Sequence, residues 1–216
     1  LVERGYKTII VGVGGSATND GGIGLLVPLG FRFLDKDGND IEPTGEGLAK
    51  LDKIVAPEKK FNTKFVVATD VANPLLGKTG AALAYAQQKG ATAEEAEKLE
   101  QNMKRLVEVA KKCFGKSEHE SAGAGSAGGC GYGLMTFLDA KRVSGFELFA
   151  KYANLEAAIK SCSVVITGEG IFDQTDMQGK GPYALAKLAE KYKKPVWIFC
   201  GSSPLTAGEI GKMGIP

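Results

Sequence analysis

Four short runs of β-branched and aromatic residues punctuate the chain: Thr8-Ile9-Ile10-Val11, Phe65-Val66-Val67-Ala68, Val164-Val165-Ile166-Thr167 and Val196-Trp197-Ile198-Phe199. Each is nearly continuous in its apolarity instead of alternating, the pattern of strands buried on both faces of a parallel or mixed sheet. Each stops at a cluster rich in Gly, Asp, Glu or Ser: Gly12-Val13-Gly14-Gly15-Ser16, Thr69-Asp70, Gly168-Glu169-Gly170 and Gly201-Ser202-Ser203. Between the strands the period changes. Ala96, Leu99, Met103, Leu106, Ala110 and Cys113 recur at spacings of three and four, which predicts an amphipathic helix from about Ala93 to Phe114. Thr92 followed by Glu95 makes a capping-box start, and Gly115 provides the stop. A second helix is predicted from Pro182, burying Leu185, Leu188 and Ala189 and ending at Lys193-Lys194-Pro195. A third lies near Asn154 to Ser161, with Asn154 as its cap. Strand, helix and strand between Val164 and Cys200 form a right-handed crossover unit, so the fold class is α/β. The stretch from Gly115 to Gly133 has no period and reads as a long functional loop.

Length and composition narrow this picture. At 216 residues the chain exceeds the usual domain mode of roughly 100–150, so one large domain or two lobes fit it. Hydrophobic residues at 44% and charged residues at 24% are those of an ordinary globular protein. A formal charge of +2 gives no electrostatic footprint for DNA or RNA. No run approaches the roughly 18 apolar residues of a membrane span, and no basic-then-apolar leader opens the chain, so a cytoplasmic location is expected. Cys113, Cys130, Cys162 and Cys200 lie far apart and His119 is the sole histidine, which argues for free, mostly buried thiols over a zinc site or disulfides. Glycine is the anomaly: 30 residues, about twice the usual share of roughly 7%, clustered where backbone amides can approach a ligand.

Three segments carry candidate chemistry. Gly12 to Gly22 follows a strand and offers free amides with Ser16, Thr18 and Asn19 for phosphate or carboxylate oxygens, and Asp20 for a proton or a cation. The alternative is a tight structural turn. It is not a dinucleotide fingerprint, because Ala17 stands in the place of the third glycine. Ala72 to Thr79 imitates a phosphate-binding P-loop with Ala in place of the first glycine, but Asp70 and Asn73 are the better candidates for a ligand hydroxyl or Mg²⁺. Here too a structural turn is the alternative. In the third segment Glu169, Asp173 and Asp176 offer hard oxygen ligands for Mg²⁺, and Lys180 sits near a helix N-terminus that favours anions. These are the groups phosphoryl transfer needs, unless the segment is only a solvated acidic loop.

Taken together, Ile10 to Gly22, Asp70-Val71 with Asn73-Pro74-Leu75, Gln88-Lys89-Gly90-Ala91, the Gly123 to Gly131 stretch, and Thr167 to Gly170 with Asp173 and Gly179-Lys180 resemble the bacterial glycerate kinase family, the two-domain type unrelated to P-loop kinases. The resemblance implies transfer of the ATP γ-phosphate to a hydroxyl of glycerate, with Mg²⁺, in a cleft between two α/β lobes. Residues 1–152 would belong to a mixed α/β domain and 153–216 to a flavodoxin-like parallel-sheet domain. Both are expected to be incomplete, since family members begin with a further strand and continue beyond the position of Pro216. Asp20, Asp70 and Asp173 would then include the base and the metal ligands, with Glu169 as a further ligand. Ser16, Thr18, Asn19, Asn73 and Lys89 would bind the acid, and Gly14, Gly15, Gly125, Gly128, Gly168, Gly170 and Lys180 the nucleotide. The expected partner is a small hydroxy acid, with no nucleic acid or membrane, and a homodimer is admitted. The chain departs from the family at Ile171, commonly arginine, at Thr175, commonly glutamine, and at Tyr85-Ala86-Gln87, more usually Phe-Gly-Pro. A non-catalytic or altered-substrate paralogue and a P-loop NTPase centred on Gly77-Lys78-Thr79 are the alternatives.

Overall fold

A computed structural model describes residues 1–59, 61–174 and 181–212. Packing divides the chain into two compact units, Leu1–Val143 and Ser144–Pro216. In chain order the first unit runs β1 (Thr8–Gly12), α1 (Ile23–Leu26), β2 (Arg32–Leu34), β3 (Lys53–Val55), β4 (Lys64–Ala68), α2 (Ala81–Tyr85), α3 (Ala93–Phe114), α4 (Ser126–Leu138) and β5 (Lys141–Val143). The second runs α5 (Gly145–Tyr152), α6 (Leu155–Ser161), β6 (Val165–Ile171), α7 (Gly181–Lys191), β7 (Val196–Ser202) and α8 (Ala207–Lys212). No helix among the described residues is long and apolar enough to cross a membrane.

The first unit is organised by a parallel sheet of order β1-β4-β5. Its register pairs Thr8 with Lys64 and Gly12 with Ala68, so β1 and β4 end level with one another. Val13 N–H donates to Ala68 O at 3.1 Å and Thr69 N–H to Val143 O at 3.0 Å, extending the pairing one residue further. The two loops that follow therefore leave the same edge of the sheet, where open α/β sheets gather their ligands. Helix α3 buries Ala96, Met103, Leu106 and Ala110 as its spacing predicts, and only the last member of the stripe, Cys113, is exposed. Its start is the expected capping box: Glu95 N–H donates to Thr92 Oγ1 at 3.2 Å and Thr92 N–H to Glu95 Oε2 at 2.7 Å. Gly115 ends it in the left-handed region at φ 68°.

Several expectations are corrected. The aperiodic stretch from Gly115 to Gly133 contains the start of α4, whose first turn carries Ala127, Gly128 and Gly129 at positive φ before Tyr132, Leu134 and Leu138 enter the core. Exposure alternates along β1, and Ile10 remains 41% exposed on the face opposite Ile9 and Val11, which pack against the core. In the second unit Val165 and Val196 pack with Ile159 of α6 and with Ala186 and Ala189 of α7. The opposite face of β6 and β7 carries Ile166, Trp197 and Phe199, each more than half exposed, because these helices cover one face only. Both strands also run on through the residues that the sequence places in loops: Gly168 pairs with Phe199, Glu169 with Cys200 and Ile171 with Ser202. Asn154 sits at the N-cap of α6 in the left-handed region, with no side-chain capping bond. The thiols are free but not mostly buried, since Cys113 and Cys200 are exposed.

Candidate functional site

The loop after β1 is shaped by Asp20. This buried carboxylate accepts Gly22 N–H on Oδ1 at 2.8 Å and Gly24 N–H on Oδ2 at 3.0 Å, tying the loop to the first turn of α1. Gly21 N–H donates to Gly128 O at 3.0 Å, joining the same loop to the start of α4. The contact is backbone on backbone. A Cβ on Gly128 would stand 1.9 Å from Thr18 O, one on Gly129 2.6 Å from Gly21 Cα, and one on Gly133 2.8 Å from Gly21 O. A Cβ on Gly14 or Gly15 would meet nothing within 4 Å. The glycines thus divide into those that let two segments interlock and those that face open space.

The open pair borders a pocket of about 390 Å³. Gly14, Gly15 and Ser16 form one wall, Tyr85, Gln88 and Lys89 another, and Ser126, Ala127 and Gly128 a third, with Val71 beside them. Lys89 Nζ donates to Thr18 O at 2.5 Å and to Ser16 Oγ at 3.4 Å. Among the described residues it forms no ion pair with an acidic side chain. Burial lowers the pKa of its ammonium, opposed by Cys130 when that thiol is ionised and by Asp20. Burial, reinforced by Asp20, pushes the Cys130 thiol up to about 11, so it is neutral near pH 7. Asn19 Nδ2 and Oδ1 are both sealed from solvent without a partner, an arrangement that costs roughly 1–3 kcal/mol per group and invites a ligand or a bound water. Open amides, a hydroxyl and an ammonium with only neutral partners suit a small carboxylate or phosphate.

The segment after β4 stands behind one wall of this pocket. Asp70 follows the strand and is half-buried. Asn73 Nδ2 donates to Thr79 O at 2.7 Å, Asn73 Oδ1 accepts from Tyr85 Oη at 2.9 Å, and Asn73 O accepts from Gly125 N–H at 2.9 Å. A Cβ on Gly125 would come within 2.3 Å of Pro74 O, so this glycine too serves backbone contact. Gly77 N–H donates to the buried Glu100 Oε1 at 2.9 Å. The amide that a P-loop would aim at a phosphate faces a carboxylate instead, which would repel one.

In the second unit Gly168, Glu169 and Gly170 lie within β6, and Gly170 N–H donates to Glu169 Oε1 at 3.1 Å. Asp173 follows two residues after the strand and is half-buried. Asp176 and Lys180 lie outside the described residues. Among the described residues no three or more His, Cys, Asp or Glu side chains converge as a metal cluster. Mg²⁺ in phosphoryl-transfer sites commonly takes only one or two carboxylates beside the substrate phosphates, a donor type that Glu169 and Asp173 match in kind. The structure brings Gly14, Gly15, Ser16, Lys89, Gly128 and the carbonyl of Thr18 together. Sequence reasoning marked Tyr85 only as a departure from the family and gave neither it nor Ala127 a role in the site. Tyr85 lies in an alanine-rich run without polar punctuation, and the positive φ of Ala127 has no signature in its residue type.

Glycine-rich loops at the ends of parallel strands, closing on a small pocket, define an α/β protein with a candidate site for a small anion. The family described as "Glycerate kinase family" matches residues 1–216, and the chain belongs to it. It is 38% identical over 99% of its length to a glycerate kinase of Bacillus subtilis (strain 168), and 41% identical over 99% to a glycerate 2-kinase of Escherichia coli (strain K12). It spans 57% of the length of each. A crystal structure of a protein assigned as glycerate kinase 2 from Salmonella typhimurium LT2 superposes with a TM-score of 0.75 at 37% identity, covering 96% of this chain and 56% of that one.

Proposed function

We propose that this protein transfers the γ-phosphate of ATP to a hydroxyl of glycerate, giving phosphoglycerate. The observation that carries this reading is the Lys89 pocket, where an ammonium with only neutral hydrogen-bond partners faces two open glycine backbones. The acid's carboxylate takes Lys89 and the amides of Gly14 and Gly15, with Ser16 as a further donor. Thr18 holds Lys89 in place through its carbonyl, and Asn19, whose amide is sealed from solvent and lies outside the pocket lining, would reach the acid only after a shift of its loop. Asp70 accepts the hydroxyl proton as the substrate oxygen bonds to the γ-phosphorus, the bond to the β,γ-bridging oxygen breaks and ADP leaves. Asp20 keeps the loop in shape through its two amide contacts. Glu169 and Asp173 would hold Mg²⁺, which when bound neutralises phosphate charge, and Gly168, Gly170 and Lys180 would serve the nucleotide. Gly128 lines the pocket and Gly125 supports it from behind. The second unit would be part of the flavodoxin-like domain, and a cytoplasmic location suits such an enzyme.

The test is phosphate transfer from ATP-Mg²⁺ to glycerate by the whole protein, with the product read by NMR. Lys89→Met should raise KM for glycerate at least about tenfold and leave KM for ATP within about twofold, since a charged hydrogen bond is lost. An unchanged KM for glycerate removes Lys89 from the acid site. Because burial lowers the Lys89 pKa, glycerate affinity should fall as pH rises through a value below the ordinary lysine 10.5, and Lys89→Arg, which stays charged, should carry binding to higher pH. Ile171, exposed where the family commonly has arginine, favours a second reading as a binding paralogue. Glycerate binding by calorimetry without any transfer would establish that reading instead.

A further inference from the structure

We infer that Tyr85, acting through Asn73, is the positioning residue that sets the width of the acid pocket. The inference rests on the proposed function only in naming glycerate as the pocket's ligand. Tyr85 is the last residue of α2 and its side chain forms pocket wall. Its hydroxyl donates to Asn73 Oδ1 at 2.9 Å, and Asn73 Nδ2 donates to Thr79 O at 2.7 Å. A main-chain carbonyl only accepts, so Thr79 fixes which end of the amide is nitrogen and leaves the oxygen for the phenol. The main-chain carbonyl of Asn73 accepts Gly125 N–H at 2.9 Å, and Gly125 runs directly into Ser126, Ala127 and Gly128 on the facing part of the pocket lining. The route from Tyr85 through Asn73 to Gly125 is therefore a strut between two walls of one cavity.

The strut has little freedom at its far end. Gly125 lies so close to Pro74 O that a Cβ would approach to 2.3 Å, and Ala127 already sits in the left-handed region at φ 50°. Packed backbone of this kind cannot take up slack, so a loosened Tyr85 ring changes the pocket directly. Asn73 contributes by holding the wall, with its side-chain amide engaged by Thr79 and Tyr85.

A double-mutant cycle on the whole protein tests this. Tyr85→Phe keeps the ring and removes only the hydroxyl. It should raise KM for glycerate about three- to tenfold while kcat stays within about twofold, the scale of one lost hydrogen bond. In an Asn73→Ala background the same change should have no further effect, because the hydroxyl has lost its partner. A wild-type KM for Tyr85→Phe, or effects that multiply in the double variant, would overturn the inference. If the wild-type protein transfers no phosphate, the functional reading fails by itself and the strut is judged by urea unfolding of the same four proteins. A midpoint shift for Tyr85→Phe that vanishes beside Asn73→Ala supports it, and an equal shift in both backgrounds refutes it.

Discussion

A glycine can be kept for what approaches it or for what already touches it, and both kinds occur within this site. Gly14 faces open space, and its backbone is not in the left-handed region. Gly14→Ala should leave stability within about 0.5 kcal/mol of wild type while weakening glycerate binding, since the new methyl intrudes where the ligand's oxygens approach. Gly128 combines φ 64° with a carbonyl 1.9 Å from where a Cβ would sit. Gly128→Ala should cost about 2–5 kcal/mol, from left-handed strain and a forced separation of two segments. Urea denaturation and glycerate calorimetry on both variants separate the two roles. If Gly14→Ala binds glycerate normally, the open pair is not part of the acid site. Sequence alone leaves the two kinds of glycine alike, because what distinguishes them is a neighbour more than a hundred positions away in the chain.

Among elements, the most legible was α3, where spacing, cap and stop all agree. Thr92→Ala removes the hydroxyl that accepts Glu95 N–H and should cost about 1 kcal/mol in urea denaturation. No measurable change would mean that tertiary packing alone sets that end. Strands β1 and β4 were equally legible from their β-branched runs, and so was the edge where their loops emerge. Helix α4 was not, because seven small residues between Gly123 and Gly129 suppress any apolar period ahead of Leu134. The extension of β6 through Gly168-Glu169-Gly170 was hidden for a related reason. Glycine there resembles a turn in isolation, and only pairing with β7 shows that it is strand. Within the site, Gly14, Gly15, Ser16 and Lys89 could be found from motif and spacing. The relay through Tyr85 could not, since it depends on a side-chain contact across twelve positions.

At the scale of the whole molecule the two units are unequally founded. The first buries Leu48, Leu51, Val67, Met103, Leu106 and Tyr132 among many others in one continuous core, whereas the second rests on Ile159, Val165, Ala186, Ala189 and Val196. Local opening free energy follows buried apolar contact, so amide exchange in α3 and β4 should be at least about tenfold slower than in α7 and β6. Equal protection throughout would show that the chain opens as a single cooperative body. The interlocked backbones of the first unit also constrain anyone who would re-engineer it. Gly22 would place a Cβ 3.1 Å from Cys130 Cα, and Gly133 one 3.1 Å from Gly22 Cα. A loop transplanted from a relative into positions 12–22 therefore has to arrive together with the matching 123–133 stretch, so that the site can be exchanged between proteins only as one cassette.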